Sequence, residues 1–222
     1  MKVSAVIVAA GRGARMGAGF NKVFLGLLGK TILERTVDIF ENAEIIDEII
    51  IVTSEKEECE KLLSGYSKVS AIVEGGATRQ DSVRNGLMVA KGDIVAIHDG
   101  ARALLRETEL DSAIEEAKKY GAAAVGVKSK DTLKKADKNG FIEKTVDREF
   151  IYNIQTPQVF KLKEIKKMHT LASGSGFTDD CSLAESFGVK IKIVDGSYDN
   201  IKITTPDDLE IAEKILKNRS EL

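Results

Sequence analysis

The sequence predicts one α/β domain over residues 1–222: a Rossmann-like, mostly parallel sheet with helices on both faces and an inserted β-arm at about residues 131–152. Three observations support this prediction. Short apolar runs alternate with amphipathic segments, which is typical of βα units. The first apolar run leads into a glycine-rich loop, and a charged stretch around an Asn-Gly pair interrupts the alternation between residues 131 and 147.

Each element is predicted from its hydrophobic pattern. A continuous apolar run indicates a strand buried on both faces, whereas apolar residues at helical spacing indicate a helix that covers one. The predicted strands are residues 3–9, 48–53, 69–73, 94–98, 122–127, 190–194 and 201–203. The predicted helices are residues 31–40, 82–89, 107–120 and 162–171, and a last helix with Thr205 as cap, Pro206 at its first position and Asp208 three residues after the cap.

The arm is predicted from a turn signal between two short polar strands. Asn139-Gly140 favours a hairpin turn, and the few apolar residues around it cannot bury the hairpin alone. They are Leu133, Ala136, Phe141, Ile142 and Val146. Because an isolated hairpin needs something to pack against, we expect a second subunit there and hence a homodimer.

Composition argues against several classes of protein. Lys and Arg number 33 against 35 Asp and Glu, a net charge of −2, so a nucleic-acid-binding protein with a broad basic surface is not expected. No apolar run approaches the roughly 18 residues of a membrane span. Cys59 and Cys181 lie far apart without metal-ligand spacing, which favours reduced thiols in a soluble, cytoplasmic protein.

The loop at residues 9–17 (AAGRGARMG) follows the first strand, where open parallel sheets bind ligands. It resembles the dinucleotide fingerprint G-x-G-x-x-G, but Met16 stands in place of the third glycine, and the second strand runs into Thr53-Ser54 with no acidic residue for a ribose. Gly29-Lys30-Thr31 does not complete a P-loop, because Phe24 occupies the place of the first glycine. The missing third glycine and the missing acidic residue argue against a nicotinamide-dependent oxidoreductase.

Arg15 and Lys22 give the loop fixed positive charge beside backbone N–H groups that can cradle phosphates. Nucleotidyl transfer needs such charge around a phosphorus that accumulates negative charge. Taken alone, the two side chains fit solvated surface cations as well. Asp99, at the end of the fourth strand, is a candidate to hold Mg²⁺, directly or through water, or a substrate hydroxyl. His98 beside it is interpreted as a packed strand-end histidine.

Six segments together resemble the cytidylyltransferases that make CDP-sugar alcohols. Each is a short motif, and the six follow in order across nearly the whole chain. They are residues 9–16 with Asn21-Lys22 (AAGRGARM…NK), 75–82 (GGATRQDS), 98–102 (HDGAR), Asp131-Thr132 with 145–148 (DT…TVDR), 155–158 with Thr178-Asp179 (QTPQ…TD) and 199–204 (DNIKIT).

The resemblance implies transfer of CMP from CTP to a small sugar-alcohol phosphate, with Mg²⁺ bound mainly through the CTP phosphates. The match at residues 145–148 and 199–204 favours methylerythritol 4-phosphate as the acceptor. D-ribitol 5-phosphate is the alternative acceptor, used with the same fold, nucleotide and reaction. A nucleotide-sensing protein that has lost catalysis would lack one of the loop cations, and both are present.

The resemblance also implies roles for single residues. For CTP they are Ala10, Gly11, Arg12 and Gly13 along the triphosphate, Gly75, Gly76, Arg79 and Ser82 around the cytosine and ribose, and Asp99. For the acceptor they are Asp99, Arg102, Thr132, Arg148, Thr156, Thr178 and Lys202. The implied catalytic residues are Arg15, Lys22, Arg148 and Lys202. Thr132 and Arg148 lie on the arm, which is implied to cross to the partner subunit.

Three positions depart from the common pattern of these enzymes. Asn21 stands where proline is frequent, Gly100 where alanine is common and Ala103 where proline often follows the arginine. None of these departures removes a charged group. We expect each to loosen its loop slightly without abolishing activity.

Overall fold

The computed structural model describes residues 1–11, 21–172 and 176–220. The described residues form a central sheet, a small hairpin near the first loop, a second hairpin in the arm, and helices. In chain order the strands are β1 (Val3–Val8), β2 (Gly26–Leu27), β3 (Lys30–Thr31), β4 (Glu48–Thr53), β5 (Val69–Glu74), β6 (Ile94–Asp99), β7 (Ala122–Lys128), β8 (Lys134–Ala136), β9 (Ile142–Thr145), β10 (Tyr152–Lys161) and β11 (Lys192–Asp195).

The α-helices of the described chain cover the sheet and its edges. They are α1 (Ile32–Asn42), α2 (Lys56–Leu62), α3 (Arg79–Val89), α4 (Glu107–Tyr120), α5 (Leu162–Leu171), α6 (Asp180–Ser186) and α7 (Pro206–Ser220). A short 3-10 helix (Lys22–Phe24) precedes β2. Within the described ranges, no helix has both the length and the apolar character needed to cross a membrane.

The central sheet has seven strands in the order β11-β7-β10-β6-β1-β4-β5. Six of them run in the same direction, and β10 runs opposite to both of its neighbours, β6 and β7. The carboxyl ends of the six parallel strands therefore lie at one edge of the sheet, together with the beginning of β10. In open α/β sheets this edge is where ligands bind.

Both faces of the sheet are buried. Successive residues of a strand point to opposite sides, and each side carries its own apolar cluster. In β1, Ala5 and Ile7 belong to one apolar cluster, which also contains residues of α1 and α4. Val6, between them, belongs to a second cluster under α3, α5 and α6. The predicted fold class, a mostly parallel sheet with helices on both faces, is confirmed.

A third apolar cluster holds α7 against β2 and the loop that follows β6. The helix begins as predicted. Thr205 Oγ1 accepts from the Asp208 N–H at 3.2 Å, and the Asp208 carboxylate accepts from the Thr205 N–H at 2.9 Å. This reciprocal cap satisfies backbone donors that a helix leaves unpaired at its N-terminus.

The arm contains a hairpin, β8 and β9, in which every residue is exposed. Asp137 closes its turn: Oδ1 accepts from the N–H groups of Asn139 and Phe141, both at 2.9 Å. Gly140 has a φ of 87°, a left-handed conformation that glycine adopts without strain. The turn predicted at Asn139-Gly140 is confirmed, and the side chains of Phe141 and Ile142 next to it are exposed.

The predicted strand at residues 201–203 is wrong, because these residues have no regular structure. Their alternation of apolar and polar residues has another cause. Ile203 is fully buried in the third cluster, and its N–H donates to the carbonyl oxygen of Ala101 at 2.9 Å. One backbone bond to a loop replaces the ladder that a strand requires.

The sequence analysis missed α2, α6 and β10. The two helices have seven residues each, too short for a clear periodicity. The beginning of β10 is polar, and its pairing with β7 shifts register between Ile154 and Gln158, around Pro157. Proline cannot donate to a sheet ladder and is tolerated at such irregularities, so a central strand here lacks the usual apolar signal.

Gly86 provides a test of how closely α3 packs on the sheet. A Cβ atom at this position would lie 2.6 Å from Val6 Cγ1 and 2.7 Å from Val52 Cγ2. Although alanine favours a helix by up to about 1 kcal/mol, overpacking costs about 1–3 kcal/mol, so Gly86→Ala is expected to lower the free energy of unfolding. Gly65→Ala, where no atom lies within 4 Å of the added Cβ, is the control. Equal urea midpoints for both variants would contradict the close packing.

Candidate active site

A cavity of about 610 Å³ opens at the carboxyl ends of β1 and β6. Its described lining comes from five separate parts of the chain. These are residues 8–11, 21–23, 76–79 with Ser82, Asp99 with Ala101, and Lys202 with Thr204. The sheet edge thus gathers segments that lie up to about two hundred residues apart, as expected for an open α/β sheet.

The first loop enters the cavity through Ala10 and Gly11. Gly75 has no side chain because Ala10 occupies the space: a Cβ on Gly75 would lie 2.3 Å from the Cβ of Ala10. Next to it, the Gly76 N–H donates to Ser82 Oγ at 3.0 Å. The two predicted nucleotide segments therefore touch each other. Arg12, Gly13 and Arg15 lie outside the described residues.

Asp99 is a buried carboxylate with two cations on it. Its Oδ1 lies 3.2 Å from Arg79 Nε, and its Oδ2 lies 2.7 Å from Lys202 Nζ. Burial would raise the pKa of Asp99, but the charges of Arg79 and Lys202 hold it well below its usual range. Asp99 is therefore ionised at neutral pH and orients both cations at the wall of the cavity.

Arg79 is held from its other side by a second buried carboxylate. Arg79 Nη1 lies 2.8 Å from Asp180 Oδ2, and Asp180 Oδ1 lies 3.0 Å from His169 Nε2. Burial would lower the pKa of Arg79, but Asp180 and Asp99 raise it above its ordinary value. Although burial would also raise the pKa of Asp180, its bonds to His169 and Arg79 lower it. Arg79 therefore keeps its charge.

Asp180 and His169 were missed by the sequence analysis. Asp180 is 101 residues from Arg79 in the sequence, and it lies at the first position of α6, where acidic residues are common for reasons of helix stability. His169 is a fully buried residue of α5. No local pattern distinguishes either residue from a structural one, so only the fold brings this pair to Arg79.

A row of polar groups supports Asp99 from behind the cavity. Thr156 Oγ1 accepts from the Asp99 N–H at 3.1 Å and lies 3.0 Å from His98 Nδ1. His98 Nε2 faces the Arg102 carbonyl oxygen, which can only accept, so unprotonated Nδ1 accepts from the Thr156 hydroxyl. The proton of neutral His98 is then on Nε2, which donates to the Arg102 carbonyl at 3.0 Å. His98 is fully buried, in agreement with its interpretation as a packed histidine.

Arg102 and Thr156 thus lie beside the cavity without lining it. Arg102 Nη1 donates to the carbonyl oxygen of Asn200 at 2.6 Å, which ties the loop after β6 to the segment that carries Lys202. Thr178 is exposed and borders a smaller neighbouring cavity, to which Arg79 also contributes. Thr132 and Arg148 lie on the arm, are exposed, and are outside the lining of the main cavity.

Asn21 differs from the expectation that it loosens its loop. It is buried, with 3 % of its surface exposed, and its side chain is hydrogen-bonded to the end of β1, to Glu55 and to the backbone of Val23. Gly100 is also tightly placed, because a Cβ there would lie 3.1 Å from the carbonyl oxygen of Val8. Ala103 is buried in the third apolar cluster. The expected loosening at Asn21 is therefore wrong.

The described residues contain no group of three or more carboxylate, histidine or cysteine side chains placed to hold a metal ion. Within the described lining of the main cavity, Asp99 is the acidic residue. Its oxygens are both engaged with cations. This donor set suits a cation that arrives on an oxygen-rich ligand better than one held by protein alone.

The fold and the site define an α/β protein whose cavity, with cations oriented at the carboxyl edge of a parallel sheet, suits an anionic ligand. The sequence model of the IspD family, 2-C-methyl-D-erythritol 4-phosphate cytidylyltransferase, matches residues 3–218. The chain belongs to this family. Its enzymes are cytidylyltransferases, a type of nucleotidyltransferase.

Relatives agree over nearly the full length. The 2-C-methyl-D-erythritol 4-phosphate cytidylyltransferase of Caldanaerobacter subterraneus subsp. tengcongensis is 50% identical, covering 98% of this chain and 100% of the relative. The enzyme of the same name from Clostridium acetobutylicum is 47% identical over 97% of this chain and 98% of its own.

Solved structures show the same fold. The crystal structure of 4-diphosphocytidyl-2C-methyl-D-erythritol synthase from Anaerococcus prevotii has a TM-score of 0.87 and 36% identity, covering 97% of this chain and 96% of its own. That of 2-C-methyl-D-erythritol 4-phosphate cytidylyltransferase from Thermus thermophilus has a TM-score of 0.81 and 31% identity, covering 98% and 100%.

His98 makes stability depend on pH in a defined window. Burial lowers its pKa from the ordinary 6.5 to about 4. Between these values the unfolded chain binds a proton that the folded chain does not, so stability is lost as the pH falls. The expected loss between pH 6.5 and 4.5 is roughly 2 kcal/mol.

Urea unfolding at half-unit pH steps measures this slope. His98→Gln should flatten it, whatever the variant's stability at pH 7. If the free energy of unfolding falls equally steeply with pH in both proteins, His98 is not the cause of the pH dependence.

Proposed function

We propose that this protein transfers CMP from CTP to 2-C-methyl-D-erythritol 4-phosphate, giving 4-CDP-2-C-methyl-D-erythritol and pyrophosphate, a reaction of non-mevalonate isoprenoid precursor synthesis. The observation that carries this conclusion is the match to one cytidylyltransferase family over residues 3–218. Relatives at 42–50% identity bear the same name. Ribitol 5-phosphate is the less favoured acceptor.

The reaction needs no covalent intermediate with the protein. A phosphate oxygen of the acceptor attacks the α-phosphorus of CTP and forms a new P–O bond. The bond from the α-phosphorus to the bridging oxygen breaks, and its electron pair leaves with pyrophosphate. Because a phosphate monoester is already an anion at neutral pH, the protein has to position the reactants and stabilise charge.

The nucleotide side of the cavity is assigned to the first loop and to residues 75–82, which include the first turn of α3. Residues 10–13 lie along the triphosphate, while Gly75, Gly76, Arg79 and Ser82 surround the cytosine and ribose. The close approach of Ala10 to Gly75 supports this assignment because it brings the two segments together at the cavity. The bond from the Gly76 N–H to Ser82 Oγ holds the second segment in shape. Arg15 and Lys22 supply permanent charge at the α-phosphorus.

The acceptor side is assigned to Asp99 and Lys202. Lys202 is oriented by its bond to Asp99, and a fixed ammonium group suits a sugar phosphate. Thr156 supports this side by accepting from the Asp99 N–H, and Arg102 supports it by donating to the Asn200 carbonyl, close to Lys202 in the chain. Thr178, which lines a smaller cavity together with Arg79, is assigned to the same side.

Mg²⁺ is proposed to bind mainly through the CTP phosphates, with Asp99 as the nearby carboxylate. The described residues fit this arrangement because oxygen ligands from the nucleotide would supply most of the coordination that Mg²⁺ requires. When bound, it would draw the phosphates together and offset part of their charge.

We further propose one domain over residues 1–222, with an arm at about 131–152 that joins two subunits. Phe141, Ile142 and Phe150 are exposed by 73%, 65% and 79%, and side chains of this type are usually covered at an interface. Arg148 and Thr132 would then reach the partner's acceptor site.

Both cysteines are unpaired and buried, which supports a cytoplasmic location.

Pyrophosphate release with CTP and Mg²⁺ tests the function. Turnover is expected with methylerythritol 4-phosphate and not with ribitol 5-phosphate. Turnover with ribitol 5-phosphate alone would change the assigned acceptor. No pyrophosphate release with either acceptor, in folded protein, would contradict the proposed cytidylyltransferase activity.

Lys22→Ala should lower kcat by about 10²-fold or more, because it removes charge that acts on the transition state.

Mixing two inactive variants tests whether the arm serves the partner's site. Arg148→Ala is expected to impair acceptor use, and Lys22→Ala to impair transfer. In a symmetric dimer, equal mixing makes about half the dimers mixed, each with one intact site, so about a quarter of the activity should return. Subunit exchange is verified by mass spectrometry with one isotope-labelled protein. Exchange without recovery would contradict an arm that acts in trans.

A further inference from the structure

The side chain of Asn21 joins the ends of two central strands next to the cavity. Its Nδ2 donates to the carbonyl oxygen of Ala9, just after β1, and to Glu55 Oε2 at 3.1 Å, just after β4. Its Oδ1 accepts from the Val23 N–H at 3.4 Å. Both amide hydrogens and the amide oxygen are thus engaged, which fixes the orientation of the group.

Glu55, the acceptor in this arrangement, is itself held in place. Its Oε2 also accepts from Ser54 Oγ at 2.6 Å, and Thr53 Oγ1 lies 3.4 Å away. The Glu55 N–H donates to Thr53 Oγ1 at 3.1 Å. The carboxylate is therefore anchored to the end of β4, and the pair of Asn21 and Glu55 forms a clamp between β4 and β1.

Lys22 follows directly after this clamp. It begins the short 3-10 helix, for which Asn21 is the N-cap, and the Leu25 N–H donates to the Lys22 carbonyl at 3.1 Å. Val23, the next residue, is buried. The backbone at Lys22 is thereby fixed from both sides, while Lys22 and Asn21 both line the cavity.

We propose that Asn21, held by Glu55, is a positioning residue for nucleotidyl transfer: it fixes the backbone from which Lys22 reaches the reacting phosphate. This inference rests on the proposed function. Asn21 acts through Lys22 and not on the phosphate, because both of its amide hydrogens are donated to protein oxygens. A charge that stabilises a transition state must be placed accurately, and a displacement of about 1 Å costs about 10²-fold in rate.

Steady-state kinetics of Asn21→Ala test the proposal. Its kcat is expected to fall about 10–100-fold, whereas KM for CTP changes by less than about threefold, because the displaced charge acts mainly in the transition state. Lys68→Ala is the control: Lys68 Nζ also donates to a backbone carbonyl, that of Ala43 at 2.8 Å, but outside the cavity lining. It should keep normal kinetics. Normal kcat in Asn21→Ala would overturn the proposal.

A second pair of variants keeps the test valid if Asn21→Ala folds poorly. Glu55→Ala removes the acceptor and should lower kcat in the same way. Glu55→Gln keeps an oxygen that can accept from Asn21. Its kcat should therefore be much higher than that of Glu55→Ala, and its melting temperature should equal that of the unmodified protein. Equal kcat losses in Glu55→Ala and Glu55→Gln would show that the hydrogen bond is not what matters.

The double variant Asn21→Ala/Lys22→Ala separates this proposal from the proposed function. If Asn21 acts through Lys22, the double variant should be about as slow as Lys22→Ala alone. Losses that multiply would overturn the positioning role and leave the function intact. Full activity in Lys22→Ala would instead contradict the role of Lys22 in the proposed function.

Discussion

Asp99 is a carboxylate at the end of a central strand, and its burial determines what surrounds it. A buried charge is tolerated only when it is paired and hydrogen-bonded. The chain satisfies this requirement with Arg79 and Lys202 on the two oxygens and with Thr156 at the backbone behind it. Arg79 in turn needs the second carboxylate of Asp180. The cations at the cavity are therefore oriented before any ligand enters, which is the condition for electrostatic stabilisation without reorganisation.

Much of the fold could be predicted because the parallel strands are buried on both faces and read as apolar runs. The bounds of Glu48–Thr53, Glu107–Tyr120 and Leu162–Leu171 are as predicted. Strand β10 could not be found this way, since its first half carries polar residues at the site edge. Residues 201–203 were wrongly predicted as a strand because apolar and polar residues alternate there. This alternation comes from packing against α7 and not from a sheet.

For the site, local motifs predicted residues that line the cavity, such as Gly76 and Arg79. They could not predict which partners hold those residues. Asp180 and His169 lie on α6 and α5, far from Arg79 in the sequence, and such residues are common in helices. Asn21 was expected to loosen its loop slightly, but one of the contacts that hold it is to Glu55, which no motif includes. Sequence motifs identify groups that face a ligand, whereas long-range pairing depends on topology.

The reversed direction of β10 has a consequence for how the arm is attached to the sheet. Strand β7 ends at the cavity edge, β10 begins there, and Tyr152 pairs with Lys128 across that junction. The intervening segment, with the exposed hairpin, leaves and rejoins the sheet at neighbouring points. Insertions or exchanges within it need not change the register of any central strand. The proposed acceptor contacts of the arm are thus separate, in the topology, from the strand register that builds the cavity.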